Sequence, residues 1–202
     1  ATGAAPLLET SADQSAQIEA IKRGDLAEAG VLHAQSPVDA TRLFGALRTH
    51  GVLALGGEGV NRRGPTGAMA LAIADEEGGL ITADDPAVIH RLLTLVAGAG
   101  RDLVGLGVKE IFGALLAIGA DRPLRLVDDV ALGSWIGNVT LRNPGLVEVA
   151  TARLGADIPE RRTPLQTASL CAVVALASRA GLDRELRSIG SERLYREIEL
   201  PL

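Results

Sequence analysis

Two acidic pairs, an acidic turn, three histidines, one cysteine and two glycine-rich runs are the residues whose types could do chemistry here. Paired carboxylates can hold a divalent cation or divide acid–base work. Asp84-Asp85 and Asp128-Asp129, however, each stand where a helix should begin, so capping accounts for both. Asp75-Glu76-Glu77 reads as a solvated hairpin tip. The run Gly59-Val60-Asn61-Arg62-Arg63-Gly64-Pro65-Thr66 has the glycine spacing of a phosphate loop. Pro65 stands where that loop needs its lysine, and proline has no N–H to give a phosphate. Gly105-Leu106-Gly107 opens like a dinucleotide fingerprint, but Glu110 replaces the third glycine, which leaves an ordinary strand–helix turn. His33, His50 and His90 have no partner at helical zinc spacing and are expected at the surface. No serine sits in a G-x-S-x-G elbow. Cys171 lies within an apolar run, where a thiol behaves as a small buried hydrophobe.

The elements that must position these residues follow from periodicity and caps. Residues 1–12 read as an irregular lead-in, and 13–30 as a short helix or two. Ser36-Pro37-Val38-Asp39 is a helix start, with serine as cap and proline in the first turn. Three extended runs follow, 51–55, 67–74 and 79–83, which predict an antiparallel meander. Asp85-Pro86 opens a helix to Ala97 with Ile89, Leu92, Leu93 and Val96 on one face. A strand over 102–106, a helix over 108–118 and a strand over 124–127 come next. Helices over 129–137 and 145–153 follow, then two closing helices over roughly 164–180 and 183–199. The first of these is apolar nearly all round and should be central. A meander followed by strand–helix units predicts an α/β fold with a mixed sheet and packed helices.

Composition narrows the functions. The 202 residues are 47% hydrophobic and 22% charged, as in a globular domain. Aromatics are only 2%, which leaves few platforms for stacking bases. The net charge of −5 argues against tight, non-specific phosphate binding. Arg62, Arg63, Arg161 and Arg162 are the best candidate DNA contacts, and solubility explains them equally well. One cysteine excludes an internal disulfide and a cysteine zinc site. No continuous apolar run reaches the ~18 residues of a membrane span, so no membrane partner is expected and the cytoplasm is the expected location.

The last nine residues, Leu194-Tyr195-Arg196-Glu197-Ile198-Glu199-Leu200-Pro201-Leu202, closely resemble the segment joining the 3′–5′ exonuclease-type domain to the polymerase domain in bacterial family A DNA polymerases, the DNA polymerase I family. The family's exonuclease domain has an RNase H-like mixed sheet: three antiparallel strands, then alternating helices and strands. The order of elements here is similar over roughly 36–202. The resemblance implies a lead-in over 1–35, an RNase H-like domain over 36–182, and a C-terminal helix over 183–202 leading toward a polymerase domain.

Active members end the first strand in Asp-x-Glu. This chain reads Leu55-Gly56-Gly57-Glu58, so Gly56 holds the aspartate position and Glu58 survives. The second motif, a Gly-His-Asn-x-Lys-x-Asp-like run, is matched at Gly105 and Lys109, with Ile111 at the metal-binding aspartate. Asp129-Val130-Ala131-Leu132-Gly133-Ser134-Trp135 is similar to the Asp-Thr-Met-Leu…Ser-Tyr stretch that follows. Thr167 and Cys171 occupy the Tyr-x-x-x-Asp positions on the late helix. Three of four metal-binding carboxylates are thus missing. Two-metal phosphoryl transfer needs acidic oxygens holding cations about 4 Å apart, and glycine, isoleucine and cysteine supply no hard oxygen shell.

The resemblance implies a non-catalytic, vestigial exonuclease-like module in a polymerase of DNA replication and repair. Its partner would be the polymerase domain of the same parent chain. DNA would be reached through that parent and bound weakly by this chain alone. No cofactor is expected in this domain; Mg²⁺ belongs to the polymerase domain. Two alternatives stay open: an active proofreading exonuclease using Glu58, Glu110, Asp128 or Asp129, and an unrelated α/β ligand-binding domain. A partly filled, apolar dent is expected at the vestigial site.

Overall fold

The computed structural model describes residues 12–60, 68–118, 124–141 and 144–201. Six strands form one mixed sheet: β1 (Val31–His33), β2 (Leu53–Glu58), β3 (Ala70–Asp75), β4 (Leu80–Ala83), β5 (Asp102–Gly105) and β6 (Arg125–Asp129). Their order across the sheet is β1-β4-β3-β2-β5-β6. The β2–β3 and β3–β4 pairs are antiparallel, which is the expected meander. The β2–β5, β5–β6 and β1–β4 pairs are parallel.

Alternation along the central strands decides which helices lie where. Leu53, Leu55, Leu71, Ile73, Ile81 and Leu103 point to one face, and pack with Leu92, Val96 and Leu115. These three come from α3 (Pro86–Ala99) and α4 (Lys109–Ile118), beside α2 (Pro37–Phe44). Ala54, Ala72, Ala74 and Val104 point to the other face, and pack with Leu170, Val173 and Val174 of α7 (Pro164–Ser188). The period of two thus separates a face of large side chains from a face of small ones. Only the small face lets a helix backbone come close. Around α7 on that side lie α1 (Ala12–Arg23), α5 (Val130–Gly137) and α6 (Leu146–Leu154). Each fully buried Leu or Val of α7 contributes about 1.5–3 kcal/mol by leaving water.

The caps are where the residue types put them. Ser36 Oγ accepts from Asp39 N–H, and the Asp39 carboxylate in turn accepts from the N–H of Gln35. Asp85 caps α3 through the N–H groups of Ala87 and Val88. Thr163 and Gln166 form a reciprocal capping box at α7, with Pro164 in its first turn.

Four expectations change. Residues 31–33, unassigned from sequence, form an edge strand beside β4; three residues are too few for a period to show. Asp75 is not part of a solvated tip. It is buried, and its carboxylate accepts from the N–H groups of Arg48, Glu77 and Gly79, while Glu76 and Glu77 are exposed. The expected break near residue 181 is absent, and α7 runs unbroken for 25 residues. Burial of Leu182 and Leu186 outweighs the ~1 kcal/mol that Gly181 costs a helix. Finally, α7 is by length and composition apolar enough to cross a membrane, although no continuous apolar run is; most of its apolar stretch is buried against the sheet instead. The lead-in up to Ser11 and residues 61–67, including Arg62 and Arg63, lie outside the described residues.

Candidate functional site

The positions that the resemblance assigns to a nuclease site are set by how α7 meets β2. At Gly56 a Cβ would stand 1.9 Å from the carbonyl oxygen of Ala168 and 2.7 Å from the amide nitrogen of Ala172. Real Cβ atoms essentially never come within 3.0 Å of such atoms. The α7 backbone therefore rests on β2 with no room for any side chain at Gly56. Cys171 lies one residue from that contact, buried in the same core cluster as Ala168 and Ala172. Burial pushes its thiol up to about 12, nearby Glu58 pushes the same way, and Arg162 opposes them. Glu58 itself is exposed at the end of β2, and Thr167 is half-buried.

Ile111 comes from the other side of the strand. A Cβ at Gly57 would stand 2.8 Å from Ile111 Cδ1, and Ile111 belongs to the core cluster of the large-residue face. The fold thus brings Gly56, Glu58 and Cys171 together and covers Gly57 with the Ile111 hydrocarbon. What stands at Gly56 is a helix–strand contact rather than an open dent.

The acidic pair Asp128-Asp129 does more than cap one helix. Asp129 accepts from Gly107 and Val108 N–H at 2.9 and 3.2 Å, ahead of α4, and from Ala131 and Leu132 N–H at 3.1 and 3.4 Å at the start of α5. Burial pushes its carboxyl up, and these backbone N–H groups oppose that. The Gly105–Val108 turn, whose glycines suggested a phosphate cradle, therefore already holds an anion, and that anion is the protein's own. The tightness of the turn also has a packing cause: a Cβ at Gly105 would meet Val108 Cγ1 at 1.7 Å.

Asp128 is fully buried. Arg179 Nε donates to it at 2.8 Å, and Arg196 Nη1 stands 3.5 Å away. Burial raises its carboxyl, while Arg179 and Arg196 pull it down. The Tyr195 hydroxyl accepts from Asp129 N–H at 2.8 Å and lies 3.4 Å from an Asp128 oxygen, with its ring fully buried. Arg196 also donates to Val127 O at 3.1 Å and pairs with Asp183. These bonds come from the closing helix Leu194–Glu199, wound as a π-helix. The C-terminal string was expected as a closing helix leading toward a polymerase domain, and this lock was not expected. Its signal was a lone tyrosine beside an arginine, with buried acids far away in sequence.

The remaining candidates are scattered. His50 and His90 are exposed, as expected; His33 is exposed and stands 3.3 Å from Asp84. Glu110 is exposed on α4. Arg161 is exposed, and Arg162 is half-buried and donates to Pro159 O. Among the described residues, no group of three or more His, Cys, Asp or Glu side chains could share a metal ion. A two-metal centre does not fit these residues, because two of the carboxylate positions that the resemblance assigns to it are a glycine pressed by backbone and an isoleucine in a core.

The sheet order, the meander and the central helix define an RNase H-like fold of the 3′–5′ exonuclease type. No family model and no curated protein matches the sequence. Solved structures do match. The POL domain of Pol1 from M. smegmatis, in complex with DNA primer-template and dNTP, is 25% identical with a TM-score of 0.57; the match covers 84% of this chain and 30% of that one. Brucella melitensis NrnC bound to pGG is 12% identical with a TM-score of 0.57, over 83% and 84% of the two chains. The Aedes aegypti Nibbler EXO domain is 14% identical with a TM-score of 0.52, over 92% and 94%. This chain is thus similar to whole exonuclease-type domains, and spans less than a third of the Pol1 chain.

Proposed function

We propose that this chain is a non-catalytic exonuclease-type domain of a bacterial family A DNA polymerase, a structural module beside the polymerase domain of the same parent chain in replication and repair. The observation that carries this reading is the contact at Gly56. A nuclease of this fold needs an aspartate there to hold metal beside the scissile phosphate. Here the space for that side chain is filled by the α7 backbone. Asp128 and Asp129, the acids an unusual nuclease would have to recruit, are committed to arginines, a tyrosine and backbone N–H groups. The string containing Tyr195 and Arg196, which resembles the polymerase-joining segment, supports the assignment to that family. In this reading the domain carries no cofactor, Mg²⁺ acts only in the polymerase domain, DNA is held through the parent, and the location is the cytoplasm.

The test is direct. Calorimetry with Mg²⁺ or Mn²⁺ should show no site-specific binding, and labelled single-stranded DNA should survive long incubation with the purified chain. Cleavage that follows the protein through purification and disappears with Glu58→Ala would replace this reading with an active exonuclease.

A further inference from the structure

The sheet ends at β6, and beyond that edge lies an open groove of about 1050 Å³. Leu116 of α4, Leu126 of β6, Trp135 of α5, and Leu200 and Pro201 of the C-terminal string line it. Leu116 is 61% exposed and Trp135 40%. Large exposed apolar side chains gathered in one groove mark an interaction surface. We infer that this groove is the seat of the polymerase domain, an apolar helical surface with a polar or acidic rim; the inference rests on the function proposed above.

Three observations favour that occupant. The groove is open and reaches the upper end of the ~300–1,000 Å³ of small-molecule pockets, and such pockets need converging free polar groups. The Asp129 carboxylate, which borders the groove, is instead used by four backbone N–H groups. Next, one wall is the string that resembles the joining segment. Tyr195 and Arg196 tie that string to Asp128, Asp129 and Asp183, so Leu200 and Pro201 are held at the groove. A domain attached through this string would be delivered to the groove at high effective concentration. Lastly, Lys109 and Arg125 also line the groove, and Ile198 and Leu194 on the closing helix are 52% and 42% exposed. Apolar and charged side chains mixed in one groove are the composition of an interface between domains of one chain.

The experiment compares hydrogen exchange in the 202-residue chain and in the full-length chain of its reading frame. Peptides over 109–118, 124–137 and 194–201 should exchange at least tenfold more slowly in the full-length chain. Leu116→Glu should restore fast exchange there and leave the melting temperature of the 202-residue chain within about 1 °C. Val38→Glu, at an 80% exposed position on α2 away from the groove, should change neither. Fast exchange over the groove in a full-length chain that has polymerase activity overturns the docking inference alone. A reading frame without a polymerase overturns the inference together with the proposed function. Concentration-dependent dimerisation of the 202-residue chain, abolished by Leu116→Glu, makes a second copy the occupant and overturns it as well.

Discussion

The two halves of α7 hold the domain together by different physics. Its first half meets β2 at Gly56 through Ala168 and Ala172, by close backbone packing rather than by an ion pair. Its second half carries Arg179, Asp183 and Glu185, which pair with Asp128, Arg196 and Arg153. The contrast teaches that one helix can be fixed at one end by shape and at the other by charge. Under the proposed function, the close backbone packing at Gly56 closes the space that a catalytic acid would need. Ion pairs meanwhile hold the end of the chain, where position matters more than chemistry.

Placing at Gly56 the aspartate that the resemblance implies for active members should break the first half, with the largest effect. In Gly56→Asp the Cβ falls 1.9 Å from a backbone oxygen that no rotamer change can move. Overpacking costs about 1–3 kcal/mol, and a buried, unpaired carboxylate adds several more. The sum, more than about 4 kcal/mol, is a large part of the ~5–15 kcal/mol that keeps a domain folded. The variant should be recovered as insoluble or partly unfolded chain. Gly56→Ala isolates the steric part, and adding Ala168→Gly should not rescue it, since the clash is with backbone. Urea midpoints measure all three. A Gly56→Asp variant within 1 kcal/mol of the unsubstituted chain would mean that α7 does not rest on β2.

The fold was legible in the sequence where local signals and packing agree. The large–small alternation of residues 70–74 announced a strand with two different faces, and Asp85-Pro86 announced the start of α3. Close approach is harder to read, because a glycine in a strand looks the same whether it faces solvent or a helix backbone. That Gly56, Ile111 and Cys171 stand at carboxylate positions is what the resemblance implies, whereas the packed contact at Gly56 needed coordinates. The lock at Tyr195 was invisible for another reason. Its partners Asp128 and Asp129 lie 67 and 66 residues away, and each already had a local explanation as a cap.

Breaking the second half should cost less. Asp128→Ala removes a fully buried carboxylate from two arginines that are each about a third exposed. Severing a wholly buried pair costs about 3–5 kcal/mol, but here water can reach both cations, so about 2–3 kcal/mol is expected. The loss should also be local. Arg196 loses one of its ties, and exchange over 194–201 should quicken while β2 and β3 stay protected. Equal quickening in the central strands would mean that the two halves of α7 are not separate supports.

Cys171 gives the finest test of the first half, because its thiol reports how dry the contact is. With the folded thiol at about 12, raised first by burial and then by Glu58, the thiolate is absent at neutral pH. Iodoacetamide at pH 8 should leave the folded chain unmodified and alkylate it fully in guanidinium. Stability follows from the same shift. An unfolded thiol ionises near 8.5 to 9, whereas the folded one keeps its proton, so above that range the folded state binds more protons. Stability therefore falls as pH rises from about 9 toward 12, and is unaffected by this group below 8. By pH 10 the loss is about 1.4–2 kcal/mol. Other groups also titrate there, so the quantity to measure is the stability difference between the chain and Cys171→Ala. Whatever its value at pH 7, that difference should shift by about 1.4–2 kcal/mol in favour of the alanine variant at pH 10. A difference that stays constant, or a thiol that alkylates at pH 8 without denaturant, would place water between α7 and β2, and the packed replacement for the nuclease site would be lost with it.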